Sequence, residues 1–355
     1  MATIFRKNLC PIDFSKNSIA ALDEAAKLAR KDKATVYLMM HVEFVAMNKP
    51  AELAGYDITL STEPTRFRLE QIAREHLAKV RHEIVLQVGW PGELIQKAAR
   101  DCDTDLIVMA THGRTGMARV FLGSIAEHII RTSERSVLSL GPGTAVGVLK
   151  KILCPVDFDP NSISALKFGW RLAQRYKATV SLLHVVALPF EPSEVPVEAP
   201  VPEWKRNSLA ELEEVATENL GANARCKLVV RRADPALAIL EMEKEPKPDL
   251  VVMATHGRTG LSHLVLGSVA ERTVRESTVP VLTAEDDPAW RDVHPRSELL
   301  YRKEKEMDHN NIIWFSDEGS SEIAQLGVKN ASLSGMTGGV GQLVEKHLSV
   351  INAAS

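Results

Sequence analysis

A chain of 355 residues with 45% hydrophobic and 25% charged content can bury ordinary cores, and its length predicts two or three domains. The formal charge of −3 and the absence of a Lys/Arg block give no electrostatic footprint for nucleic acid, so none is expected as a partner. No apolar stretch reaches membrane-spanning length and the first residues lack a signal-peptide core, so we expect no membrane association and place the protein in the cytoplasm.

Strand-like and helix-like periodicities alternate over residues 7–140. Short apolar runs rich in β-branched residues predict buried strands, and amphipathic spacing predicts helices. Their alternation predicts a parallel sheet with helices on both faces. Ser15 is predicted to cap the first helix. We predict strands at 7–12, 34–41, 82–88, 105–110 and 136–140, and helices at 17–30, 65–80, 91–101 and 124–133.

The same pattern returns 144 residues later, where Lys151–Phe158 matches Lys7–Phe14. A repeat of this length is a domain and not a solenoid unit. Asp159 followed by Pro160 predicts a helix start. The second set of strands is predicted at 151–156, 178–185, 225–231, 249–254 and 279–283. The predicted fold class is α/β, with two tandem doubly wound parallel five-stranded sheets.

Composition places the domain boundaries. The Gly141–Gly147 segment follows a fifth strand, and the duplication ends near Glu285. Residues 187–203 are proline-rich and fall after a second strand, so we predict a long surface loop there, as at 43–64. Three regions are predicted: repeat 1 at 1–147, repeat 2 at 148–285 and a C-terminal extension of unassigned role at 286–355.

The extension carries little functional information. We predict helices over Ser297–Met307 and Val340–Val350, with the apolar run Ile312–Phe315 between them. That run is either a partner-binding strand or a segment that docks on the parent domains, and we favour docking. Gly335–Gly341 has no lysine after the glycines and no buried strand before it, so it is a poor phosphate loop.

A glycine-rich loop follows the fourth strand of each repeat. Ala110–Gly116 leads to Leu122–Glu127, and Ala254–Gly260 leads to Leu266–Glu271. Serine and glutamate stand three residues apart at each following helix start, which predicts a capping box. The first-turn amides of such a helix point into the loop. Strand, loop and helix start together predict a place for a phosphate group.

The cysteines and loop histidines form no metal pattern. Cys10 and Cys154 are counterparts in the two repeats, whereas Cys102 and Cys226 lie elsewhere, and there is no Cys-x-x-Cys pair. Reduced structural thiols are therefore favoured over disulfides or a metal site. His112 and His256 have no ligand partner at metal spacing, so we interpret both as satisfied loop histidines.

Each repeat resembles the universal stress protein family. Nucleotide-binding members of that family show a glycine, two residues, a second glycine, nine residues, and then Gly-Ser or Gly-Thr. Gly113 with Gly123-Ser124, and Gly257 with Gly267-Ser268, match the later part of this motif. Alanine stands in place of the first glycine, at 110 and 254. The resemblance covers roughly residues 1–284 and implies an adenine nucleotide alpha hydrolase-like, Rossmann-like fold.

The resemblance also implies roles for individual residues. It makes the aspartates after the first strands adenosine contacts, the valines after the second strands adenine-pocket walls, and the methionines before the loops nucleotide neighbours. The loop glycines and serines become phosphate and ribose contacts. The implied set is Asp13, Val42, Met109, Gly113, Gly123 and Ser124 in repeat 1, and Asp157, Val185, Met253, Gly257, Gly267 and Ser268 in repeat 2. The implied cofactor is ATP, with or without Mg²⁺.

Simpler interpretations compete with these roles. Read alone, each aspartate is more often a helix-entry residue than a ligand, and each serine is a good cap whether or not anything binds. Arg114 and Arg258 are suited to phosphate, but exposed loop arginines are nearly as common. The combination with the glycine loop favours the nucleotide interpretation.

Three functions remain open from the sequence. We favour a stress-response module that binds adenine nucleotide, with no enzymatic activity beyond slow ATP hydrolysis. An ATP-using enzyme is less favoured because the phosphate-loop lysine motif and related catalytic motifs are missing. A nucleotide-free scaffold is the third. The resemblance further implies that the two terminal strands, 136–140 and 279–283, pair within the chain, and a homo-oligomer is also compatible with the sequence.

Overall fold

The computed structural model describes residues 4–42, 58–113, 122–187, 203–221, 224–244, 247–255 and 267–284. These residues lie in one compact unit, Met1–Pro295, and a second unit comprises Arg296–Ser355. The elements predicted in the extension lie outside the described residues. Among the described helices, none is long and apolar enough to cross a membrane.

Repeat 1 alternates strands and helices as its periodicity predicts. Its first half contains β1 (Lys7–Pro11), α1 (Lys16–Asp32), β2 (Thr35–Val42), α2 (Ile58–His76) and β3 (Arg81–Val88). Its second half contains α3 (Pro91–Asp101), β4 (Leu106–Ala110), α4 (Ser124–Thr132) and β5 (Ser136–Leu140). Most boundaries lie within two residues of prediction, and the largest difference is in α2, which starts at Ile58, inside the predicted loop, and ends at His76, four residues before the predicted end. The helix runs through Pro64, which removes a single backbone donor.

Repeat 2 follows the same order. Its first half contains β6 (Lys151–Val156), α5 (Pro160–Tyr176), β7 (Thr179–Val186), α6 (Glu203–Leu220) and β8 (Cys226–Arg232). Its second half contains α7 (Pro235–Met242), β9 (Leu250–Met253), α8 (Ser268–Glu276) and β10 (Val281–Thr283). The last strand starts two residues later than predicted, after Pro280, which has no N–H to donate to the sheet.

Two five-stranded parallel halves form one continuous ten-stranded sheet. The strand order is β3-β2-β1-β4-β5-β10-β9-β6-β7-β8. All pairs within a half are parallel, and the halves join where β5 runs antiparallel to β10. The predicted pairing of the terminal strands is therefore confirmed. Because the two halves pair through their edge strands β5 and β10, the two predicted sheets form one continuous sheet.

Helices cover both faces of the sheet and define two apolar cores. One core packs α1, α2, α5 and α6 against the sheet, and the other packs α3, α4, α7 and α8. The first helix of each repeat begins as predicted: Ser15 accepts a hydrogen bond from the Ser18 N–H, and Asp159 accepts one from the Asn161 N–H. These caps fix where the chain turns from strand to helix.

In each half of the sheet, an aspartate carboxylate accepts hydrogen bonds from the backbone at the amino end of a neighbouring strand. Asp105 accepts hydrogen bonds from the backbone N–H groups of Arg6 and Lys7 at 2.7 and 2.9 Å. Asp249 does the same for Lys150 and Lys151 at 2.7 and 2.8 Å. Each aspartate immediately precedes the strand that leads to a glycine loop, so it fixes β4 beside β1 or β9 beside β6.

Candidate functional site

The site in repeat 1 lies where β1 and β4 end side by side. The two strands pair in parallel, Asn8 with Leu106 and Leu9 with Ile107. Their connections leave toward opposite sides of the sheet, because β2 lies beyond β1 and β5 lies beyond β4. Ligands of doubly wound sheets bind at such a reversal of strand order, at the carboxyl ends of the strands.

Asp13 enters this crevice from β1. One carboxylate oxygen, Oδ1, accepts the Ser15 N–H at 3.0 Å, and the Asp13 N–H donates to the Ser18 Oγ at 3.2 Å. The helix-entry interpretation therefore accounts for Oδ1. The second oxygen, Oδ2, would lie 2.7 Å from a β-carbon built on Gly113. The structure thus brings together the aspartate and the loop glycine that the sequence placed at one site.

Close approach, and not backbone conformation, requires glycine at position 113. Gly113 is not among the described glycines with positive φ, so its backbone would accept another residue. A side chain there would have to displace the Asp13 carboxylate. Ala110 is the last residue of β4 and pairs with Leu140, so its methyl group sits on ordinary strand backbone. The missing first glycine of the family motif therefore causes no backbone strain.

A glycine–threonine hydrogen bond closes the base of each loop. The Gly123 N–H donates to the Thr111 carbonyl at 2.9 Å, and the Gly267 N–H donates to the Thr255 carbonyl at 3.0 Å. A β-carbon at Gly123 would lie 3.0 Å from the Thr111 oxygen, which is tight for any other residue. The loop residues 114–121 and 256–266 lie outside the described residues, and with them Gly257, His256, Arg114 and Arg258.

The predicted capping boxes are wrong. Gly123 and Gly267 are the N-caps, with no side-chain cap, and Ser124 and Ser268 are the first residues of their helices. The reason is that each glycine carbonyl already accepts the N–H of the glutamate four residues later, at 2.9 Å. Both serines are exposed. The first-turn N–H groups of each helix have no acceptor within the helix, which is a geometry that suits an anion.

The same arrangement begins in repeat 2. The Asp157 N–H donates to the Ser162 Oγ at 3.3 Å, and its Oδ1 accepts the Asp159 N–H at 3.2 Å. The glycine that would face it, Gly257, lies outside the described residues. For the second site, the structure therefore describes Asp157 and the start of α8, but not the loop that connects β9 to α8.

The valines and methionines of the predicted set lie near the carboxyl ends of their strands. Val42 ends β2, and its side chain lies outside the described residues. Val185 is partly buried in β7 and packs against the core under α7. Met109 and Met253 are buried at 5% exposure in that same core. Both methionine side chains thus pack in the core.

Sequence reasoning missed the residues after the two aspartates. Phe14 and Phe158 adopt positive φ, 63° and 68°, a conformation that is unusual for a bulky residue and clusters at functional sites. The Arg68 guanidinium lies 4.0 Å from the Phe14 ring centroid, and Phe158 stacks on His184 at 4.2 Å. The signal was the Asp-Phe dipeptide at the same position of both repeats.

A second missed contact fixes the loop to α1. Asn17 donates its side-chain amide to the His112 carbonyl at 3.2 Å. His112 is buried, and its Nδ1 lies 2.9 Å from the Thr111 Oγ1. The helix entry and the glycine loop are thus joined twice, by Asn17 and by the Asp13–Gly113 approach.

The cysteines provide no reactive thiolate and the described residues no metal cluster. Burial raises the pKa of the Cys10 and Cys154 thiols far above its usual range, so both stay protonated core residues. All four cysteines are free thiols. No group of three His, Cys, Asp or Glu side chains within the described ranges is arranged to hold a metal ion.

Comparisons with known proteins agree with this fold. A family model described as the universal stress protein family matches residues 5–140 and 149–284. A universal stress protein of Methanocaldococcus jannaschii is 33% identical over 139 residues, which cover 38% of this chain and 80% of that protein. A universal stress protein of Mycolicibacterium smegmatis is 27% identical over 289 residues, which cover 77% of this chain and 95% of that protein.

A solved structure shows the same architecture at two-repeat length. The crystal structure of a universal stress protein from Archaeoglobus fulgidus superposes with a TM-score of 0.62 at 19% sequence identity, covering 79% of this chain and 98% of that one. At this identity the likeness shows the fold alone. The family model, however, matches most of the chain in two consecutive copies. The chain therefore belongs to the universal stress protein family, with two tandem copies of the family domain.

Proposed function

We propose that this protein is a stress-response regulatory module that binds ATP or a related adenine nucleotide, with or without Mg²⁺. Each repeat provides one site, at the carboxyl ends of its first and fourth strands. The proposal places the protein in the cytoplasm and assigns it no catalytic role beyond slow ATP hydrolysis. Family membership and the crevice geometry support it.

The observation that carries the proposal is the approach of Asp13 to Gly113. A carboxylate oxygen lies at the mouth of a loop whose glycine leaves no room for a side chain. An acceptor in that position suits the hydroxyl groups of a ribose. The uncapped start of α4 and the exposed Ser124 follow the same loop in the chain, and in this proposal they supply donors for phosphate oxygens. The residues present therefore fit a nucleoside phosphate.

The sequence gives no reason to expect rapid turnover. It lacks the Gly-x-x-x-x-Gly-Lys-Ser/Thr loop that places a lysine on the terminal phosphates. Without that charge and without an oriented base, we expect ATP hydrolysis far below the roughly 10 s⁻¹ that is typical of enzymes. A faster rate that survives repurification and is lost in the Asp13→Asn, Asp157→Asn variant would contradict this part of the proposal.

Calorimetry with ATP tests the binding. We expect heat with a stoichiometry of up to two, and micromolar affinity would correspond to about 8 kcal/mol of binding free energy. The Gly113→Val variant should lose the repeat 1 site, because its side chain occupies the space of the Asp13 carboxylate. Repeat 2 is unchanged in that variant and is its internal control.

The Ser124→Ala variant separates a ligand contact from a structural role. Since Ser124 is not the cap of α4, the variant should unfold within about 0.5 kcal/mol of the parent while binding nucleotide more weakly. Absence of heat with millimolar ATP, together with no nucleotide in denatured extracts, would favour the nucleotide-free scaffold. Parent-like binding by both Gly113→Val and Gly257→Val would mean that the loops are only turns.

A further inference from the structure

The junction between the repeats has approximate twofold symmetry. Strands β5 and β10 pair antiparallel with Leu138 opposite Leu282, and these two residues are counterparts, separated by the repeat offset of 144. Across such a junction, each residue faces the neighbourhood of its own counterpart. A pair of two first repeats, or of two second repeats, would have the same backbone geometry.

Three pairs of leucines at the junction do not distinguish these pairings, whereas Phe5 and its counterpart Leu149, which line the same small cavity, differ. This cavity between the repeats is lined by leucines that occur in counterpart pairs. Because both members of each pair are leucine, a homotypic junction would bury the same side chains. The pairs are Leu28 with Leu172, Leu106 with Leu250, and Leu138 with Leu282.

A cluster of polar side chains lies beside this junction, and its residue types differ between the two repeats. We call Lys31, Asp32, Arg175 and Tyr176 the Asp32 seam. Arg175 binds Asp32 Oδ1 through Nε at 3.0 Å and through Nη2 at 2.8 Å. The Tyr176 hydroxyl donates to Oδ2 at 3.0 Å, and the Lys31 ammonium lies 4.0 Å from the Tyr176 ring centroid. The Asp32 side chain is 0% exposed.

The members of the seam are themselves counterparts: Lys31 corresponds to Arg175, and Asp32 to Tyr176. Two first repeats would place two buried Asp32 carboxylates together, with only lysines to replace the planar guanidinium. Two second repeats would bring two arginines to the junction and no carboxylate. A buried charge that loses its partner is strongly destabilising, so only the heterotypic pair is satisfied.

A second set of contacts points the same way. Phe5 packs on Phe168, with ring centroids 5.9 Å apart. The counterpart of Phe168 is Glu24, which is buried and accepts the Val146 N–H at 3.1 Å. In a pair of two first repeats, Phe5 would therefore meet the Glu24 carboxylate of the other copy. Glu24 is held inside repeat 1 by the Val146 N–H and by the Lys27 ammonium at 2.6 Å, so it would stay a buried carboxylate there. A pair of two first repeats would thus lose the contact between the two aromatic rings and place a ring against a carboxylate instead.

We infer that the Asp32 seam makes the junction heterotypic, so that repeat 1 accepts only a second repeat as its partner. The partner surface is defined by Phe168, Arg175 and Tyr176, whether it belongs to the same chain or to a second copy. Burial and the Asp32 carboxylate also raise the pKa of Tyr176, which keeps its hydroxyl a donor. The two repeats have thus diverged into complementary halves.

Three full-length variants test this inference. The first carries Arg175→Lys and Tyr176→Asp, which puts Lys-Asp in both repeats. The second carries Lys31→Arg and Asp32→Tyr, which puts Arg-Tyr in both. The third carries all four substitutions and restores the complementary seam with the roles of the repeats exchanged. Hydrogen exchange of the β5 and β10 amides reports the junction, and exchange of β2 and β7 reports the rest of each repeat.

Each half-exchanged variant should exchange the β5 and β10 amides at least about tenfold faster than the parent, because each leaves buried seam groups without their partners. The fully exchanged variant should recover most of that protection, although it contains every substitution of the other two. Parent-like protection in both half-exchanged variants would overturn the inference. The inference would also be overturned if the β5 and β10 amides of the fully exchanged variant were no better protected than those of the first variant. This holds whether the first variant opens locally or unfolds.

Discussion

The two repeats have the same strand register but different core residues at matching positions. Asn8 and Ile152 are counterparts on β1 and β6, and both are fully buried. Ile152 sits among leucines and valines, whereas both polar atoms of the Asn8 amide lack a hydrogen-bond partner within the described residues. The same fold therefore accommodates a buried, unsatisfied amide in one copy, at a cost of about 1–3 kcal/mol, and an aliphatic side chain in the other.

This difference shows which positions the fold itself constrains. The strands around Asn8 and Ile152 pair identically, with Val36 and Val180 on one side. Backbone pairing thus does not depend on the residue at this position, and the side chain changes only stability. By contrast, Asp13 and Asp157 are alike in both copies and make the same contacts with Ser18 and Ser162, as expected where a residue fixes the entry to a helix.

The largest expected effect comes from copying the amide into repeat 2. Ile152→Asn removes a buried aliphatic side chain and adds an unsatisfied amide, so it should lower the free energy of unfolding by about 4 kcal/mol. The reciprocal Asn8→Ile should raise it by about 2 kcal/mol, because the unsatisfied amide disappears. Urea unfolding of both variants measures the difference. A stabilising Ile152→Asn, or a destabilising Asn8→Ile, would mean that the amide finds partners.

A closer helix packing distinguishes repeat 2 at Gly169. A β-carbon there would lie 2.6 Å from the Cys154 Sγ, whereas the counterpart in repeat 1 is already Ala25. We expect Gly169→Ala to destabilise the protein by about 1–2 kcal/mol through overpacking, despite the better helix propensity of alanine. In a Cys154→Ala background the same change should become neutral or stabilising. Thermal unfolding of the four proteins of this cycle measures the reversal, and additive effects would rule out the clash.

The smallest effect is expected at the starts of α3 and α7. Asp234 accepts the Leu237 N–H at 2.9 Å as an N-cap, whereas its counterpart Trp90 makes no cap bond and is 82% exposed. Asp234→Ala should cost about 1 kcal/mol of unfolding free energy, and Trp90→Asp should gain a similar amount. Chemical denaturation checks both. Equal effects of Trp90→Asp and Trp90→Ala would show that no cap forms.

Local pattern predicted most of the fold. Periodicity placed the strands and helices within a few residues, and Ser15 and Asp159 were identified as caps because capping depends on neighbouring residues alone. The family resemblance predicted the pairing of β5 with β10. The capping boxes failed because the spacing of Ser124 and Glu127 does not reveal where the helix begins. Gly123 decides that through its long-range bond to Thr111.

By itself the sequence determined the two-repeat α/β fold, the carboxyl-edge loop and the approach of Asp13 to it, since all three follow from periodicity and repetition. Tertiary structure decided which side chains enter the crevice. Met109 and Met253 turn into the core instead, because alternate strand residues face opposite sides of the sheet. It also decided that Asp32 meets Arg175 and Tyr176, since a contact across 143 and 144 residues depends on how the sheet edges join.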